Sequence, residues 1–191
     1  MSQARRDRRR LTHVDRGGRP RMVDISDKPP TARRAVAEAL VTLEQETLTA
    51  IIDGSVAKGD VLTVAEMAGV MAAKRTAELI PLCHPIPLTD LAVEITPDRA
   101  GGGLRIRATA ATVAPTGVEM EAMMAASVAA LTVYDMVKGM DRGAAIAGVN
   151  LLEKSGGRSG EWRRDSPKRA GTPGRVGTPS RARAPHRGRQ S

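Results

Sequence analysis

Cys83 and His84 stand side by side in the segment Glu78-Leu-Ile-Pro-Leu-Cys-His-Pro85. Such a pair points to metal ligation or nucleophilic attack. Zinc is normally held by three or four ligands, and the sequence has no second Cys and no His at ligand spacing. A nucleophilic pair needs its side chains to face each other, whereas adjacent positions in an extended chain point to opposite sides. That leaves a histidine fixed among prolines, either as a placed donor for an anionic ligand or as a turn residue with no ligand.

A second candidate is the pair Asp135 and Lys138, which continues the helical stripe Met124, Val128, Leu131. An apolar stripe ending in charges places them at the rim of a buried surface; the plainer reading is a surface ion pair worth a few tenths of a kcal/mol. The lysines between the basic ends form a third set: Lys28, Lys58, Lys74, Lys138 and Lys154. Lys58 precedes Gly59 and a helix start, where an anion would meet free backbone N–H groups. Lys154 precedes Ser-Gly-Gly-Arg-Ser-Gly160, which resembles a phosphate-cradling loop but lacks the Gly-Lys-Ser/Thr order of a Walker motif. Taken singly each lysine is a solvated surface residue; several in glycine-flanked positions point to a multiply charged anionic substrate.

The elements that must position these groups alternate between helix and strand. Ala32–Leu43 mixes Val and Ala with charges and fits either. Glu46–Asp53 predicts a short helix closed by Gly54. Asp60–Glu78 is helical, with Asp60 as N-cap or Thr63 and Glu66 as a slightly later capping box. Pro81, Pro85 and Pro87 then force an extended connector. Leu88–Thr96 and Leu104–Val113 alternate at period two around Gly101–Gly103, which predicts an antiparallel hairpin. Gly117–Met140 is the longest helix, with Glu119 and Glu121 favouring its dipole, and Ile146–Glu153 is a last strand. The fold class is α+β, an antiparallel sheet with helices on one face.

Composition narrows the function. Of 191 residues 41% are apolar, but Tyr134 and Trp162 are the only aromatics, too few for the stacking platforms of single-strand nucleic-acid binders. The core must come from Ala, Val, Leu, Ile and Met. The formal charge is +9, with +4 in residues 1–10 and +8 in residues 163–191, so residues 11–162 carry −3. The basic balance therefore belongs to the ends, and it supports no specific nucleic-acid function for the middle. Residues 1–10 read as a disordered arm and 163–191, with Pro167, Pro173, Pro179 and Pro185 among Arg and Gly, as a disordered tail. No stretch approaches the roughly 20 apolar residues that span a bilayer, and one cysteine leaves a reducing cytoplasm as the simplest address.

A set of motifs in order runs through the chain: Leu11-Thr-His-Val-Asp15, Met22-Val-Asp-Ile-Ser26, Lys58-Gly-Asp-Val-Leu62, Gly69-Val-Met-Ala-Ala-Lys-Arg-Thr76, Glu78–Pro85, Thr116-Gly-Val-Glu-Met-Glu-Ala122, Tyr134-Asp-Met136 and Leu152-Glu-Lys-Ser-Gly-Gly157. These closely resemble the cyclic pyranopterin monophosphate synthases, the MoaC family of molybdenum-cofactor biosynthesis. The resemblance covers residues 11–162. It implies a ferredoxin-like sandwich assembled as a hexamer, a trimer of dimers, with the pocket at a subunit interface. It also implies conversion of 3′,8-cyclo-7,8-dihydro-GTP to cyclic pyranopterin monophosphate with release of pyrophosphate; the residues offer no metal-ligand cluster and no cofactor is expected, while a divalent ion accompanying the triphosphate stays open. Asp135, Lys138 and Lys58 fall on the family's catalytic positions. Leu82, Cys83, His84, Glu119, Met120 and Glu121 fall on substrate-contacting stretches, and Lys74 and Lys154 on basic residues of the pocket.

Those residue types suit the chemistry. Rebuilding a purine ring moves protons on and off ring nitrogens, work for a lysine–aspartate couple whose amine is brought toward working pH by other cations and partial burial. Attack of a ribose hydroxyl on the α-phosphorus expels pyrophosphate, whose charge cations stabilise. A non-catalytic nucleotide- or pterin-binding module, and a nucleic-acid-associated protein acting through its basic ends, are the competing readings.

Overall fold

The computed structural model describes residues 17–158 and 160–165. The expected basic arm, the run Leu11–Asp15 and the expected tail from residue 166 onward lie outside the described residues. In chain order the elements are β1 (Thr31–Thr42), α1 (Gln45–Ile52), α2 (Val61–Ala73), α3 (Thr76–Leu79), β2 (Asp90–Asp98), β3 (Gly103–Ala114), α4 (Glu119–Val137), β4 (Ala145–Ser155) and β5 (Trp162–Arg163). The five strands form one sheet in the order β2-β3-β1-β4-β5, antiparallel throughout. This is the α+β sandwich expected, with α4 and α2 packed on one face.

β1 resolves the ambiguous segment in favour of strand. Ala35, Ala37, Ala39 and Val41 are buried at period two, opposite Leu104, Ile106, Ala108 and Ala110 of β3. Against them lies the alanine face of α4: Ala122, Ala125, Ala126, Ala129 and Ala130, followed by Val133 and Val137. These small side chains let the helix sit close to the sheet. At 19 residues α4 is also the one helix, among the described residues, long and apolar enough to cross a bilayer, but its alanine face is occupied by the sheet. The expected stripe Met124, Val128, Leu131 is not the core face; Leu131 is 57% exposed.

Methionine does not join the core as expected. Met67 and Met71 of α2 are 61% and 60% exposed, while Met123 and Met136 are only partly buried. Leu48, Leu104 and Ile106 supply the largest buried side chains instead. The reason is geometric: an alanine helix on an alanine strand leaves no room between them for an unbranched four-atom side chain.

Two helix ends decide where the functional loops lie. Asp60, not Thr63, caps α2: its Oδ1 accepts from the Thr63 N–H at 3.0 Å and its Oδ2 from the Thr63 hydroxyl at 2.6 Å. Glu66 accepts from the Ile95 N–H instead, tying α2 to β2. The single helix expected over Asp60–Glu78 breaks at Lys74–Arg75, where the buried Thr76 turns its hydroxyl onto the Ala73 carbonyl at 2.9 Å. Gly69 sets the α2–α4 approach, since a Cβ there would lie 2.8 Å from the Ala125 carbonyl oxygen and 3.3 Å from the Ala129 Cβ. That register makes the helices antiparallel, so Lys58 and the start of α2 meet the end of α4.

Candidate functional site

The sequence candidates fall into two clusters at opposite ends of α4. The first gathers around Asp135. Lys58 Nζ donates to the Asp135 backbone carbonyl at 2.5 Å and to its Oδ2 at 3.2 Å. Lys138 Nζ meets the other carboxylate oxygen, Oδ1, at 2.6 Å. Each oxygen of one carboxylate is thus taken by a different ammonium. Lys58 reaches this point because α1 ends at Gly54 and the loop turns again at Gly59, both in left-handed backbone (φ +66° and +103°). The helix start behind Lys58 is closed by the Asp60 cap, so it is not the open anion seat anticipated.

The electrostatics of this cluster run in one direction. The Lys138 hydrogen bond, then that of Lys58, holds the Asp135 carboxyl below its ordinary value. The same contact holds the Lys138 ammonium above its own. The expected lowering of the amine toward working pH is therefore absent here, because about half of each side chain is open to water and the nearest charge is a carboxylate. As it stands, the cluster presents two oriented ammonium groups.

The second cluster lines a cleft of about 690 Å³. Leu82, Cys83 and His84 enter it from the proline connector. Glu119, Met120 and Glu121 enter from the first turn of α4, and Lys154 from β4. Lys154 Nζ bonds Glu119 Oε1 at 2.9 Å. Gly117 lets the Glu119 carboxylate fold back there, because a Cβ at that position would collide with it. His84 Nε2 contacts the Val23 carbonyl oxygen at 2.8 Å. A carbonyl only accepts, so this nitrogen carries the proton and Nδ1 is left for a ligand. Glu121 is 5% exposed, and burial, followed by the Glu119 charge, pushes its carboxyl up. Burial also pushes the Cys83 thiol up, which suits a packing thiol rather than a nucleophile.

Lys28 joins the cleft wall from the lysine set, and Val23, Ile25, Thr116 and Gly117 complete it without having been singled out as site residues. The motifs Met22–Ser26 and Thr116–Ala122 carried that signal. Lys74 is the one sequence candidate brought to neither cluster; it caps the end of α2 and is exposed. No group of three metal-ligating side chains exists among the described residues. From Glu119 to Asp135 the helix rises about 24 Å at 1.5 Å per residue, so the two clusters do not share one cleft within a chain.

An antiparallel sheet backed by helices on one face, with paired amines and acids at both ends of its central helix, defines an α+β acid–base protein for a charged small molecule. Residues 22–157 match the MoaC family, and the chain belongs to that family. It is 57% identical over 155 residues to the cyclic pyranopterin monophosphate synthase of Thermomicrobium roseum, covering 81% of this chain and 93% of that protein. It is 54% identical over 158 residues to the protein of the same name from Brucella ovis, covering 83% and 96% respectively.

Proposed function

We propose that this chain is a lyase of molybdenum-cofactor biosynthesis that converts 3′,8-cyclo-7,8-dihydro-GTP to cyclic pyranopterin monophosphate and pyrophosphate. One observation carries the reading. Apart from Lys74, every residue assigned by the family resemblance lies in one of two acid–base clusters. Residues 11–162 form the catalytic domain, and the address is the cytoplasm.

Lys138 and Lys58 are the proton-transfer groups, and Asp135 orients both. In the state described, Lys138 is charged and acts as a general acid. It becomes a base only after handing its proton to a substrate nitrogen or after desolvation. His84 and Lys154 grip phosphate or base edges, while Glu119 and Glu121 meet donor edges of the ring system. Leu82, Cys83 and Met120 supply the apolar wall. The ribose hydroxyl attacks the α-phosphorus, its proton passes to a neighbouring amine or carboxylate, and the P–O bond to pyrophosphate breaks.

The functional unit is an oligomer, a hexamer built as a trimer of dimers. The separation of the half-sites supports this. A two-fold axis near Ser127, midway between Glu119 and Asp135, would set the Lys58–Asp135–Lys138 cluster of one copy against the cleft of its partner. Val64, Met67 and Met71 on α2 and Leu131 on α4 are 42%, 61%, 60% and 57% exposed, apolar surface of the kind that association covers. Lys74 is then a cation contributed to the shared site from the end of α2.

Co-expression tests both statements. Asp135→Asn and His84→Ala each abolish pyrophosphate release alone. Together they recover about a quarter of wild-type turnover, the share of intact composite sites that random pairing in isologous dimers provides. Failure of the mixture to recover, or a lone 20.2 kDa species at micromolar concentration, contradicts the shared site. Wild-type protein that binds the substrate without releasing pyrophosphate contradicts the enzyme.

A further inference from the structure

Tyr134 is the only tyrosine of a 191-residue chain that contains no phenylalanine. In a protein that fills its core with alanine and valine, a single aromatic placed next to Asp135 is not a default packing choice. Its ring rests partly buried against the core cluster. Its hydroxyl has no hydrogen-bond partner among the described residues and is not sealed from water.

Helix geometry sets this phenol beside Lys138. The Lys138 N–H donates to the Tyr134 carbonyl at 2.9 Å, and Lys138 itself keeps helical backbone (φ −54°, ψ −21°). The last turn of α4 is therefore intact where the two side chains meet. At 3.6 residues per turn, Tyr134 (i−4) lies about 40° to one side of Lys138 and Asp135 (i−3) about 60° to the other. The phenol oxygen is near enough that charge on it acts on the Lys138 ammonium.

The amine is thus bracketed by two unlike groups. Asp135 Oδ1 takes one ammonium N–H at 2.6 Å. An ionised carboxylate only accepts and the Lys58 ammonium only donates, whereas a phenol does both. While Lys138 is charged, the Tyr134 oxygen accepts a second of its three N–H groups and leaves the third for substrate. After that proton has passed to a substrate nitrogen, Nζ has two N–H groups and a lone pair. The phenol then accepts from one N–H or, by turning its O–H, donates to the lone pair. No proton leaves the tyrosine.

We propose that Tyr134 is a positioning residue that holds Lys138 in place in both of its protonation states. The role deepens the lyase reading and rests on it; the contact between the two side chains does not.

Because Tyr134 is the single tyrosine, growth on 3-fluorotyrosine labels the full chain at this one position. The 19F resonance moves on Lys138→Ala and stays in place on Arg99→Ala, an exposed cation on the β2–β3 turn. Tyr134→Phe keeps the ring, so its melting curve overlays that of wild type. With the cyclic dihydro-GTP it lowers kcat about tenfold, the order of one hydrogen bond, and leaves KM within twofold. A 19F resonance unmoved by Lys138→Ala, a wild-type kcat in Tyr134→Phe, or a kcat loss matched by a lower melting temperature overturns the positioning role. If wild type itself releases no pyrophosphate, the lyase reading fails and takes this role with it, while the 19F contact stands. If wild type turns over and Tyr134→Phe matches it, only the positioning role fails.

Discussion

Asp141 Oδ2 accepts a hydrogen bond from the backbone N–H of Glu44 at 2.8 Å. Asp141 is 1% exposed and lies in the turn that ends α4, three residues beyond Lys138; Glu44 starts α1 and has no side-chain cap of its own. The contact therefore fixes the helix that leads to Lys58 onto the helix that carries Asp135. A buried structural tie precedes α1, and the exposed Lys58–Asp135 contact of the proposed site follows it.

Asp141→Ala leaves the Glu44 N–H without its partner at a part-buried contact and opens a gap where a buried side chain stood. The expected loss is about 1–3 kcal/mol of unfolding free energy. Asp141→Asn keeps an acceptor for that N–H and loses less than half as much. Urea denaturation at neutral pH reads both. Equal losses in the two variants show that the charge, not the hydrogen bond, is what the fold uses.

Asp135→Asn removes the carboxylate that raises Lys138 and is itself held low. The Lys138 titration, followed by the 13Cε chemical shift, moves down toward its ordinary value of 10.5. In wild type a depressed carboxyl stays ionised down to its folded pKa, so its contribution is present above the unfolded value and fades only as pH falls through the folded one. Activity consequently shows no acid limb from Asp135 above pH 3.8, its ordinary value. An unmoved Lys138 titration in the variant breaks the coupling.

Much of this was legible in the sequence. The hairpin and α4 follow from period-two and period-3.6 patterns bounded by glycine. Ala32–Leu43 stayed open because alanine and valine at strand period also satisfy a helix, and only pairing on both edges decides it. The break at Arg75 depends on the Thr76 hydroxyl, a local contact that periodicity does not contain. Motif resemblance marked Lys58 and Asp135, but 77 residues separate them and only the antiparallel α2–α4 register brings them to one point. The His84–Val23 contact, 61 residues apart, was hidden for the same reason. β5 pairs only two residues, Trp162 and Arg163, too short a run to carry an alternation signal.

Gly69→Ala tests the register itself. The new methyl would lie 2.8 Å from the Ala125 carbonyl oxygen, which is backbone and cannot swing aside. α2 must shift from α4, an overpacking cost of about 1–3 kcal/mol. Because Lys58 sits just before α2, the same variant lowers turnover more than it raises KM. Unchanged thermal stability would mean that the helices are not in contact at this point.

Glu121 offers a test of sign. Burial raises its carboxyl above the ordinary value of 4.5. The folded state therefore binds the proton more tightly than the unfolded chain, and stability falls as pH rises from the unfolded pKa through the folded one. Glu121→Gln keeps the shape and removes the charge. Its melting temperature is expected to exceed that of wild type at pH 7 to 8, and the two curves to converge below pH 4, where both side chains are neutral. The variant pays at the site, because a neutral amide no longer accepts strongly from the substrate ring, so KM rises while the fold tightens. A wild type more stable than the variant at pH 8 would place a cation beside Glu121, as the proposed shared site allows.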